Sequence, residues 1–200
     1  MTPAKAIYEV LSLNQVYTLL LKQAVCIRES GFKPDVIVGV CRGGWLPALF
    51  LSDLLENPNV ASIQVKSYVG IGESHQPTLL QDVSAAVAGK HVLIADDVAD
   101  SGRSLRLVKE HLLKRGALVV KTATLYFKPQ SVFKPDFYAK QTSCWVVFPW
   151  NVKETVRALF EANKHDFARL LQETAALEAA GVPKRLIVRF LKEFSEAQTC

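Results

Sequence analysis

No stretch of this 200-residue sequence approaches the roughly 18–20 uninterrupted apolar residues that a membrane-spanning helix needs; runs such as 36–41 and 145–150 are far shorter. Cysteine is scarce and scattered. Cys26, Cys41, Cys144 and Cys200 form no CxxC, and His75, His91, His111 and His165 are equally dispersed, which indicates neither a zinc site nor a disulfide framework. Near the N-terminus Lys5 is followed by Glu9, Asn14, Gln15 and Lys22, which break any continuous apolar region of the kind a signal peptide carries. With four solitary thiols this predicts a reducing, cytoplasmic setting and no membrane partner. Internal repeats and low-complexity tracts are absent, and Gly (10) plus Pro (9) is ordinary, which excludes collagen-like and disordered classes. A dense stripe of one charge is missing too: 24 Lys+Arg against 19 Asp+Glu leave +5, compatible with an anionic substrate, nucleic acid or a solvated basic face. What remains is a chain that is half hydrophobic and long enough to bury a proper core.

Ser12 and Gln15 fit a capping box, Leu11 and Val16 a hydrophobic staple, and Leu13, Tyr17, Leu20, Ala24 and Ile27 continue at helical spacing to Gly31. The β-branched run 36–40 predicts a buried strand, then a polar turn Cys41-Arg42-Gly43-Gly44 and an apolar helix to Leu55. Residues 62–68 alternate as a strand. The next stretch, to about Val87, lacks periodicity and predicts a long loop. Residues 92–95 predict a buried strand ended by Asp96-Asp97, with a helix over 104–115 closed by Gly116 and a strand over 119–126. Residues 145–148 predict one more short strand, and Gly181-Val182-Pro183 divides the tail into two helices. Alternating strands and helices predict a three-layer α/β fold with a mostly parallel sheet, residues 1–150, plus a C-terminal helical extension, 151–200. The ligand belongs at the carboxyl ends of the strands, where both polar turns lie.

The segment Val92 to Leu105, with Asp96-Asp97-Val98-Ala99-Asp100-Ser101-Gly102-Arg103-Ser104 at its centre, carries the chemistry. A buried strand delivers two carboxylates that can accept hydrogen bonds from vicinal ribose hydroxyls. The turn after it opens a helix whose N–H groups, serine hydroxyls and dipole suit a phosphate. An acidic pair alone also occurs in response regulators and metal sites, and a Gly-Ser turn alone is often a cap; joined in this order they are specific. The segment resembles the phosphoribosyl diphosphate (PRPP) signature of type I phosphoribosyltransferases, and over about 34–157 the chain is similar to the 6-oxopurine members.

That resemblance implies Asp96, Asp97, Ala99, Asp100, Ser101, Gly102, Arg103 and Ser104 as the ribose and 5′-phosphate site, with Asp96 and Asp97 reaching a metal indirectly. It implies Cys41, Arg42 and Gly43 as a diphosphate loop, with a cis peptide at Cys41-Arg42, and Arg157 as a further diphosphate contact. Lys66, Ser67 and Tyr68 resemble the start of the family's flexible catalytic loop. Lys128 matches a lysine that donates to the purine 6-oxygen, and Trp145 and Val146 match a base-stacking pocket; alone, they would read as a surface lysine and a core strand. Asp100 stands where this group places a carboxylate at purine N7, the implied general base. Asn151 replaces a metal-binding Asp, which leaves a second metal site open, and Val147 replaces a polar residue near the purine 2-substituent, which leaves hypoxanthine, guanine and xanthine all open. The implied activity is Mg-dependent purine salvage, PRPP plus a 6-oxopurine giving the nucleoside monophosphate and diphosphate. A homo-oligomer, dimer or tetramer, is expected. Two alternatives stand beside it: a PRPP-sensing nucleic-acid-binding regulator, supported by a pI near 9.0, and a transferase for another base such as adenine.

Overall fold

The structure, a computed structural model, describes residues 8–66, the backbone of 69–70 and 73–74, and residues 76–197. Its elements run β1 (Tyr8–Val10), α1 (Leu13–Glu29), β2 (Val36–Cys41), α2 (Trp45–Leu54), β3 (Val60–Lys66), β4 (Val69–Gly70), β5 (Glu73–Ser74) and β6 (Thr78–Gln81). They continue as β7 (His91–Ala99), α3 (Arg103–Lys114), β8 (Val119–Phe127), β9 (Phe137–Gln141), β10 (Trp145–Val147), α4 (Val152–Ala162), α5 (Phe167–Ala179) and α6 (Lys184–Ala197). Contacts group them into two compact units, Val16–Ser143 and a smaller one whose described part is 8–15 with 144–197. This grouping differs from a division at 150/151 because β1, near the start of the chain, pairs with β10.

The larger unit holds a sheet of order β6-β3-β2-β7-β8-β9, parallel throughout except for β6, which runs antiparallel on β3. A parallel sheet covered on both faces requires strands apolar on both sides, and β2 (VIVGVC) is buried from Val36 to Val40. Its even positions join Val92 and Ile94 of β7 and Leu105, Val108 and Leu112 of α3 in one core. Its odd face meets α2: a Cβ added at Gly39 would lie 3.0 Å from Ala48 Cβ. Helices therefore cover both faces, the three-layer architecture that strand–helix alternation predicts. The capping box forms, with Ser12 N–H donating to Gln15 Oε1 at 2.8 Å and Gln15 N–H donating to Ser12 Oγ at 3.3 Å. Further along α1, buried Gln23 donates to the Thr124 carbonyl at 2.7 Å.

Several elements depart from the sequence expectation. β7 does not stop before the acidic pair but runs through it to Ala99, because Asp96 and Val98 keep register with Thr124 and Tyr126 of β8. The expected long loop after residue 68 holds β6 as a sheet edge, together with the two-residue strands β4 and β5, because pairing to a neighbour organises what has no period of its own. β9, an edge strand of sequence FYAKQ, escapes a reading based on β-branched runs. The tail forms three helices, since Asp166 opens α5 by accepting from Arg169 N–H at 2.9 Å.

The smaller unit pairs β1 parallel with β10 and buries Tyr8, Val147, Val156, Leu177, Val182, Ile187 and Phe194 together. The Tyr8 hydroxyl donates to Glu173 at 2.8 Å; burial, then this hydrogen bond, pushes its pKa up and keeps it a donor. No helix among the described residues is long and apolar enough to cross a membrane.

One backbone outlier carries a prediction. α2 ends in a Schellman turn, with Glu56 N–H donating to Asp53 O at 3.0 Å and Asn57 N–H to Ser52 O at 2.8 Å. This places Glu56 at φ 54, a conformation that glycine adopts without steric cost. Glu56→Gly is expected to stabilise the fold by about 1 kcal/mol, read as a melting temperature about 2–4 °C higher; an unchanged or lower value would show that the carboxylate side chain offsets the strain.

Candidate active site

Two turns meet at the carboxyl ends of β2 and β7. In the first, the Cys41–Arg42 peptide is cis, as the resemblance implies, and Gly44 N–H donates to Val40 O at 2.8 Å. Gly43 lies so close to the Asp97 carboxylate that an added Cβ would overlap it. A Cβ on Gly44 would overlap the Ala95 carbonyl oxygen and lie 2.8 Å from both Val40 N and Val40 O. The sequence needs glycine twice here because two strand ends converge without room for a side chain.

The acidic pair follows from β7. Asp97 N–H donates to Asp96 Oδ1 at 2.9 Å, and Asp96 is held well above the usual carboxylate range, first by burial and then by the charge of Asp97. Burial, then the charge of Asp96, also pushes the Cys41 thiol up, which keeps it from acting as a thiolate. The close approach of Gly43 to Asp97, together with the charge of Asp96 at Cys41, sets this turn beside the acidic pair. Among the described residues no third His, Cys, Asp or Glu joins them in a metal-sized cluster. Two adjacent carboxylates fit Mg²⁺, which retains waters and takes one or two carboxylates together with substrate phosphate oxygens.

Beyond buried Ala99 the chain leaves the sheet through Asp100 and Ser101 and enters α3 at Arg103, with Gly102 at φ 74 as the N-cap. Arg103 N–H donates to Ser101 Oγ at 3.4 Å, and Ser104 lies in the first helical turn. The N–H groups of that turn and the dipole suit a phosphate. The segment 128–133 backs this turn: Lys128 N–H donates to Ala99 O at 3.1 Å and Val132 N–H to Ser101 O at 3.0 Å. The Arg106 guanidinium donates to Val132 O at 2.9 Å.

Asp100 and Lys128, far apart in the chain, form an ion pair, with Nζ 3.2 Å from Oδ1. Gln130 Nε2 donates to the same oxygen at 3.4 Å. The N-cap of α3 is Gly102 and the Asp100 carboxylate faces these side chains, so Asp100 does not act as a helix cap. Neither the pairing nor the part played by Gln130 has a signal in the sequence.

The larger unit thus brings together Cys41, Arg42, Gly43, Asp96, Asp97, Ala99, Asp100, Ser101, Gly102, Arg103, Ser104 and Lys128. Lys66 ends β3 in the same unit, while Ser67 and Tyr68 lie outside the described residues. Trp145, Val146 and Arg157 belong to the smaller unit. There Trp145 is 45 % exposed, Val146 is buried, and the Arg157 guanidinium lies 4.6 Å from the Phe194 ring centroid. Asn151 accepts from Phe148 N–H through Oδ1 at 2.8 Å and braces the turn before α4.

Residues 9–156 match the family described as phosphoribosyl transferase domain. The chain is 32 % identical over 155 residues to the xanthine-guanine phosphoribosyltransferase of Gluconobacter oxydans, covering 75 % of this chain and 88 % of that protein. It is 34 % identical over 139 residues to the protein of that name from Cereibacter sphaeroides, covering 65 % and 80 %. The crystal structure of a purine phosphoribosyltransferase from Pyrococcus horikoshii superposes with a TM-score of 0.65 at 39 % identity, covering 72 % of this chain and 94 % of that one.

Proposed function

This chain belongs to the phosphoribosyl transferase domain family, and from that premise we propose a purine salvage enzyme that transfers the 5-phosphoribosyl group of PRPP to N9 of a 6-oxopurine. The products are the nucleoside 5′-monophosphate and diphosphate. The names borne by its relatives, xanthine-guanine and hypoxanthine-guanine phosphoribosyltransferase, support the base class. The observation that carries the reading is the Lys128–Asp100 pair at 3.2 Å beside a phosphate turn. A 6-oxopurine bound as its N7–H tautomer presents an acceptor, O6, and a donor, N7–H. An ammonium and a carboxylate complement that edge, whereas the 6-amino group of adenine would leave a nearly buried ammonium facing a donor.

In this reading Asp96 and Asp97 accept from the ribose hydroxyls, the Ser101–Ser104 turn holds the 5′-phosphate, and Arg42 with the Gly43 backbone holds the diphosphate. Asp96 and Asp97 would help hold Mg²⁺ brought with PRPP, which would supply positive charge for the departing diphosphate. The N9 lone pair bonds to C1′ as the C1′–O bond breaks, its electron pair leaving with the diphosphate. The N7 proton passes to Asp100, whose Oδ2 has no partner among the described residues, and Lys128 stabilises O6. The basic balance of the chain finds its use in an anionic substrate. Cys26, Cys41 and Cys144 form no disulfide among the described residues, which supports a cytoplasmic setting. Exposed Leu13, Tyr17, Leu21 and Val25 along α1 support a homo-oligomer.

The test is a substrate panel of Mg-PRPP with hypoxanthine, guanine, xanthine, adenine, orotate or uracil, scored for nucleotide. Nucleotide is expected from one or more of the three oxopurines; product from adenine or a pyrimidine alone overturns the base assignment. Mg-PRPP at about 100 times its Kd is expected to add about 2.7 kcal/mol of apparent stability. Without a thermal shift, the phosphate and ribose assignments are wrong.

A further inference from the structure

Lys128 has two tasks in the proposed reaction, because one ammonium both holds Asp100 and donates to the purine oxygen. When it turns to the base, a carboxylate that is 56 % exposed needs another anchor. Gln130 stands in the place for one. Ser131 N–H donates to Lys128 O at 2.9 Å, closing a turn with Pro129 at its first central position and Gln130 at its second. That turn is tied on both sides of Asp100, by Lys128 N–H to Ala99 O and Val132 N–H to Ser101 O. The backbones carrying Asp100 and Gln130 are therefore fixed relative to one another, and the glutamine amide reaches Oδ1, the oxygen that Lys128 also binds.

Resting on the base role of Asp100 given above, we propose that Gln130 is a positioning residue: it retains Oδ1 when Lys128 engages the purine, so that Oδ2 faces N7–H. An uncharged donor suits this task. A second cation there would hold the carboxylate more tightly in its ionised form and make it a poorer proton acceptor.

The experiment is a double-mutant cycle on the full chain, read as the single-turnover rate of nucleotide formation at saturating Mg-PRPP and hypoxanthine or guanine. Gln130→Ala is expected to lower that rate about fivefold, with the KM for PRPP and the melting temperature unchanged. In the Asp100→Asn background the same change is expected to cost nothing further, since the step it supports has gone. A full rate for Gln130→Ala, or an equal loss in both backgrounds, overturns the positioning role. If Asp100→Asn itself keeps its rate, the base assignment fails instead, and the cycle separates the two failures.

Discussion

Asp100→Asn is expected to lower turnover with hypoxanthine or guanine by about 10²–10⁴-fold while PRPP affinity changes little, because the substitution keeps the shape and removes the proton acceptor. A role as helix cap would predict the reverse, near-normal turnover with about 1 kcal/mol of stability lost. The structure speaks against the cap. The carboxylate faces Lys128 and Gln130, and the helix begins at Gly102 without a side-chain cap. Turnover, PRPP affinity and melting temperature measured on the one variant decide the matter, and near wild-type turnover would falsify the catalytic assignment.

The second large effect is one of stability. Gly44→Ala would drive a methyl group into the Ala95 carbonyl oxygen and against both Val40 N and Val40 O. All are backbone atoms of adjacent parallel strands, so no side chain can swing aside, and a loss of about 3 kcal/mol or more is expected, a melting temperature about 6–12 °C lower. Gly43→Ala provides the contrast. Its added methyl meets the Asp97 carboxylate, which can rotate away, so stability is largely kept and the loss falls on PRPP affinity. Equal stability for the two variants would show that the turn relaxes as a whole.

The parts of the fold legible in sequence were those whose signal is local. The capping box before α1, the β-branched core of β2 and the strand–acid–turn–helix order of 92–105 each declare themselves within a few residues. β1, β6 and β9 do not, because each depends on a partner strand distant in the chain: Tyr8 pairs with Trp145, and Ala123 with Phe137. The site divides along the same line. Asp96, Asp97, Asp100 and the phosphate turn lie in one segment and resemble a known signature. Lys128 is assigned by that resemblance, but its pairing with Asp100 and the reach of Gln130 arise only when β8 brings residue 128 beside residue 99.

The two backbone hydrogen bonds between 99–101 and 128–132 also bear on how the ligands influence each other. They join the segment proposed to grip the 5′-phosphate to the segment proposed to grip the base, so a displacement imposed at one anchor is expected to reach the other. Binding free energies coupled in this way are reciprocal. If occupied PRPP tightens the base by some factor, the base tightens PRPP by the same factor, and a nucleotide that fills both halves gains from the coupling that separate fragments must share. Product is then retained more firmly than its parts suggest, and its escape becomes a natural limit on the overall rate.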